Sequence, residues 1–88
     1  MKITRHVVRD QLLAYLNRSI TLAQLVGWAE DALCDGEMDA GDAELLTQIV
    51  ARLGLADVRA FGLSWDDCYD FLAQLGYTVQ VKVIPLAA

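Results

Sequence analysis

The sequence predicts a mainly α fold: a small domain of four helices carrying a single C-terminal β-strand, residues 77–84, that pairs between chains. Three observations predict it. Apolar residues recur at three- and four-residue intervals from Val8 to Leu75, the period of a helix with one buried face. Capping residues and glycines punctuate these runs, and no linker, repeat or low-complexity tract interrupts them, so residues 1–88 read as one unit. The run Tyr77-Thr78-Val79-Gln80-Val81-Lys82-Val83-Ile84 then changes to a period of two and is rich in β-branched side chains, as a half-buried strand requires.

The first helix starts after Thr4, whose hydroxyl can cap free backbone N–H groups, and runs to about Asn17. Val8, Leu12 and Leu16 share one face, flanked by Val7, Leu13 and Tyr15, while Arg5, Arg9 and Arg18 lie elsewhere. The second helix has the strongest start signal. Thr21 and Gln24 match a capping box, and Ile20 with Leu25 supplies the hydrophobic staple around it. Leu22, Leu25, Val26, Ala29 and Leu33 form its apolar stripe, with Trp28 at the edge, and Asp35-Gly36 ends it, the glycine taking the left-handed conformation. Asp39 is the expected cap of the third helix, with Asp42 and Glu44 in its first turn, where negative charge suits the helix dipole. Its core face is Leu45, Leu46, Ile49, Val50 and Leu53, and Gly54 closes it. Ala56 to Phe61 reads as one short helical turn ended by Gly62. Ser64, with Asp67 three residues on, caps the last helix. Trp65, Cys68, Phe71, Leu72 and Leu75 are its inward set, and Gly76 stops it.

On the strand, Tyr77, Val79, Val81 and Val83 point one way and can lie on the helices, and Pro85 removes a donor just beyond Ile84. A lone strand cannot satisfy its own backbone N–H and C=O groups. The other extended segment, Met1-Lys2-Ile3, is short. The leading expectation is therefore a homodimer in which 77–84 pairs antiparallel with itself about a two-fold axis, since such a patch complements its own copy. The interface residues are then Tyr77, Val79, Val81, Val83 and Ile84, and a proline at Val81 removes a ladder donor. Pairing with Met1-Lys2-Ile3 or another intrachain segment, pairing with a foreign chain, and disorder are the alternatives.

Eighty-eight residues lie near the lower end of what folds without disulfides or metal, and 56% of them are hydrophobic, above the usual ~45–50%. That excess fits surface buried against a partner. No run of about 18 apolar residues is present to span a membrane. The opening residues carry charges at Arg9 and Asp10 where a signal peptide would be apolar, so a cytoplasmic location is expected. Cys34 and Cys68 lie in separate elements without a CxxC, and read as two reduced, buried thiols. The net charge of −5 is unevenly spread: residues 30–70 hold every acid except Asp10, against only Arg52 and Arg59. An acidic middle argues against nucleic acid as the main partner, because phosphate binding needs concentrated positive charge. It suits solubility, or a basic protein partner, equally well.

No catalytic constellation stands out, no cofactor motif is present, and the expectation is a non-enzymatic protein. Asp31 through Asp42 partly follows the calcium-loop pattern, with Asp31, Asp35, Gly36, Met38, Asp39 and Asp42 in register. Leu33 falls where an oxygen ligand belongs, however, and the last position is Asp rather than Glu, so a helix end followed by a new cap explains the run better. His6 is the single histidine and has no ligand at helical spacing. Ser64, Cys34 and Cys68 are nucleophiles with only His6 as a conventional base, and Asp66, Asp67 and Asp70 read as a solvated face. Arg5 and Arg9 are neighbours one turn apart but lack the aromatic interleaving of a nucleic-acid surface. Trp28, Trp65 and Tyr69 flank apolar stripes and read first as core, second as interface.

The stretch from Ser19-Ile20-Thr21-Leu22 through Trp28-Ala29-Glu30 to Asp35-Gly36-Glu37 resembles a segment of small acidic bacterial proteins, some of them immunity proteins that neutralise a colicin-type toxin. The shared feature is a capped helix with a Trp-Ala-Glu centre followed by an acidic turn, about a quarter of the chain. The resemblance implies a bacterial, cytoplasmic, protein-binding role; the alternative to the homodimer is an immunity- or antitoxin-like inhibitor whose acidic 30–70 region docks on a basic toxin or enzyme. Such immunity proteins are all-helical, and the terminal strand departs from them. No functional residue carries across.

Overall fold

Ile3 enters the interior before any helix has formed. It belongs to β1 (Lys2–Ile3), which runs parallel to β2 (Glu37–Met38) with Lys2 opposite Glu37 and Ile3 opposite Met38, in a computed structural model that describes residues 1–87. The Glu37 N–H donates to Met1 O (2.8 Å) and the Asp39 N–H to Ile3 O (2.9 Å). The N-terminal segment is thereby paired with a partner other than the C-terminal segment, and that intrachain alternative is removed.

α1 (Arg5–Leu16) begins as its sequence requires, with the Thr4 hydroxyl accepting from the Val7 N–H. It ends without a glycine. Arg18 takes the left-handed conformation (φ 63°), its N–H donating to Tyr15 O while the Ser19 N–H donates to Ala14 O, the bonding of a Schellman cap. α2 (Leu22–Asp35) carries the complete capping box: the Gln24 N–H donates to the Thr21 hydroxyl (3.1 Å) and the Thr21 N–H to the Gln24 side chain (2.8 Å). α3 (Ala43–Leu53) follows a 3-10 turn at Ala40–Asp42, and α4 (Trp65–Gln74) carries a second capping box, between Ser64 and Asp67. α2 packs most extensively on α3, and α1 lies against α4, α2 and α3. One core joins Val8 and Leu12 of α1, Leu25, Ala29 and Ala32 of α2, Leu46, Ile49, Val50 and Leu53 of α3, and Cys68 and Leu72 of α4.

Several expectations need correction. Ala32, not Leu33, continues the buried stripe of α2; Leu33 is exposed and reaches toward Gly54 at the end of α3, while the smaller Ala32 lets Gly36 and β1 come close. Gly36 is not left-handed (φ −79°, ψ 147°). It is needed for space: a Cβ there would meet Ala32 O and lie 2.9 Å from Ile3 Cγ1. Asp39 makes no side-chain cap, because the 3-10 turn intervenes and delays α3 to Ala43. Residues 54–61 form successive turns, the Gly62 N–H donating to Val58 O (3.0 Å), and left-handed Gly62 (φ 61°) ends them as expected. Trp65 is 52% exposed, since the first position of α4 lies beyond the reach of the core. Cys34 is exposed, on a solvent-facing part of the last turn of α2, while Cys68 is buried; both thiols are free.

Candidate interaction surface

Gly76 (φ 97°) turns the chain out of α4, a conformation that side chains with a Cβ rarely adopt. Two arginines of α1 then fix the direction in which the chain leaves. Arg5 donates to Leu75 O (2.9 Å) and makes a two-pronged bond to the Asp42 carboxylate (2.9 and 2.8 Å), tying the starts of α1 and α3 to the end of α4. That pairing holds the Asp42 carboxyl below its ordinary pKa, chiefly through the hydrogen bond from Arg5 and then through its charge. The Arg9 guanidinium stacks over the Tyr77 ring, 5.3 Å from its centre. The Tyr77 N–H donates to Leu72 O at 2.8 Å.

Beyond this root the chain runs from 77 to 87 with no turn or bend. Tyr77 and Val79 pack on the core, while Thr78 and Gln80 are exposed, so the expected alternation holds over its first half. An open groove of about 300 Å³ beside it is lined by Arg9, Leu13, Leu72, Tyr77 and Val79. A smaller one, about 110 Å³, lies among Leu16, Trp65, Tyr69, Val79 and Val81. The segment thus tracks along α1 toward its C-terminus and back along α4 toward its start. Past Val81 it leaves the helices. Val81, Val83 and Ile84 are 60, 89 and 70% exposed, and Leu86 is almost wholly so. Within the one chain, residues 77–84 pair with no other segment: among the described residues, no backbone bond reaches past Tyr77. Of the five predicted interface residues, two are anchored and three project.

The other candidate groups are scattered. Asp31 and Asp35 lie on α2, Asp39 precedes the 3-10 turn, and Asp42 is held by Arg5; among the described residues no three His, Cys, Asp or Glu side chains gather as a metal site. His6 is exposed on α1. Ser64 and Asp67 cap α4, and the Ser64 N–H donating to the Asp67 carboxylate (2.9 Å) holds that acid below its ordinary pKa. Burial pushes the Cys68 thiol up to about 11. Arg9 also pairs with Asp10 (2.9 Å), and Arg18 serves the end of α1. A further concavity, about 480 Å³ beside Arg5, Asp42 and Glu44, is open, and Arg5 and Asp42 satisfy each other there.

Sequence reasoning missed Leu13, Leu16 and Arg9 as companions of the C-terminal segment. The available signal was the width of the apolar band on α1, too broad for one buried stripe. Trp28 is half-buried against the core, whereas Trp65 and Tyr69 stand together at the groove, ring centres 6.2 Å apart. Compared with family models, curated proteins and solved structures, the chain matches none. Among the described residues no helix is long and apolar enough to cross a membrane.

Proposed function

We propose that this chain is a non-enzymatic protein–protein interaction module that works as a homodimer, its segment 77–84 pairing antiparallel with the same segment of a second copy. One observation carries the proposal. An unbent segment, anchored at Tyr77 and Val79, presents Val83, Ile84 and Leu86 to water, with no backbone partner past Tyr77 among the described residues. Exposed strand edges of this kind are templates for pairing, and here Lys82 is the one charge along the run. The surface area supports the same conclusion. A folded monomer of 9.7 kDa is expected to expose about 5,100 Å². This chain exposes 5890 Å². The excess is close to the ~800 Å² that each partner buries in a standard interface.

The test compares the full chain with a version ending at Gln80, which keeps Tyr77 and Val79 on the core. Sedimentation velocity should give a dimer for the full chain and a monomer for the shortened one, with equal helicity by circular dichroism. Equal sedimentation coefficients for the two would end the proposal.

A further inference from the structure

We infer that the two copies meet through one edge of the segment only, the edge carrying the N–H and C=O groups of Thr78, Gln80, Lys82 and Ile84. The inference rests on the homodimer proposed above and names its pairing surface.

The direction of a single hydrogen bond assigns the edge. In an extended chain the N–H and C=O of one residue point to one lateral side, and those of the next residue to the other. The Tyr77 N–H is spent on Leu72 O, so its side faces α4. The same side carries the backbone groups of Val79, Val81 and Val83. The opposite side, bearing the even-numbered groups, carries no such bond. Pro85, which has no N–H, falls on the same edge as the Tyr77 N–H and leaves the even-numbered edge without a gap.

Two further features agree with this edge. When a strand pairs with its own copy through even-numbered groups, even residues stand opposite even residues and odd opposite odd. Directly opposed side chains in an antiparallel pair share a face. Tyr77, Val79, Val81 and Val83 of both copies therefore fall on the face that already lies on the helices, and a slip by one residue would put half of them in water. The far half of the segment, exposed in one copy, then lies beside the groove at Leu13, Tyr77 and Val79 of the other. A second copy thus covers both what projects and what is left open.

Proline substitutions at adjacent exposed positions test the edge. Gln80→Pro and Lys82→Pro each delete an even-edge donor in both copies and are expected to weaken self-association at least about tenfold. Val83→Pro removes a donor on the same edge as the Tyr77 N–H and is expected to change it less than about threefold. The simple sequence expectation that Val81 carries a critical donor is replaced, because its N–H lies on the same side as that of Tyr77. Amide hydrogen exchange on the unmodified full chain gives a second readout: Gln80, Lys82 and Ile84 should be protected in the dimer, and Val81 and Val83 should exchange fast. If the chain dimerises but Val83→Pro is as damaging as Lys82→Pro, or protection does not alternate, the edge is wrong while the dimer stands. A chain that stays monomeric at every concentration removes both.

Discussion

At single positions the fold rests on a few side chains with no substitute. Arg5 joins three elements through Asp42 and Leu75 O, and the lowered pKa of Asp42 gives this clasp a pH signature. A carboxyl depressed in the folded state contributes stability above its unfolded pKa, near ~4, and loses it as the pH falls through the lower folded value. Asp67 acts in the same direction. Urea midpoints are therefore expected to decline below about pH 4, and Asp42→Asn should both lower the neutral midpoint and flatten that decline. An unchanged acid limb would place the pH dependence elsewhere. Gly36→Ala should destabilise by about 1–3 kcal/mol, because its Cβ must displace Ala32 O or Ile3. Arg18→Gly should stabilise by about 1 kcal/mol, since the left-handed conformation penalises arginine and not glycine. Thiol labelling separates the cysteines: a disulfide reagent at neutral pH is expected to modify Cys34 promptly and Cys68 only on unfolding, given the burial that raises Cys68 to about 11.

Elements formed where sequence supplied both a start signal and a periodic face. Thr21 with Gln24 and Ser64 with Asp67 make complete capping boxes, and Ser64→Ala is expected to cost about 1 kcal/mol in thermal or urea unfolding. Such local grammar was legible because its partners lie three residues apart. What was not legible depends on distance along the chain. The β1–β2 pair joins residues more than thirty positions apart, and two residues per strand leave no period to read. Arg5 and Asp42 look like a solvated cation and a first-turn acid until the fold brings them together. Leu33 and Ala32 both fit the helical stripe of α2, and only the approach of Gly36 and Ile3 decides for the smaller one. The C-terminal segment was half legible: its alternation located Tyr77 and Val79 on the core, but the arginines of α1 that aim it are invisible to a period-two pattern. Trp65, at the first position of α4, stands at the groove where Val81 passes. Trp65→Ala should leave the stability of the monomeric chain ending at Gln80 nearly unchanged, yet weaken self-association of the full chain about tenfold, as truncation of an aromatic interface anchor does.

The whole molecule measures 46 × 28 × 22 Å, with a radius of gyration of 13.4 Å against about 12 Å for a compact chain of this length. Apolar side chains held in water along an unpaired backbone are what the proposed homodimer would cover. Under the homodimer proposed above, function on this scale is association itself, with the helices holding Tyr77 and Val79 so that the following residues are presented in one direction. The mass of the full chain in solution tests this most directly. Light scattering across a concentration series is expected to rise to about 19 kDa, twice the 9.7 kDa chain. A value fixed at 9.7 kDa at every concentration would contradict it.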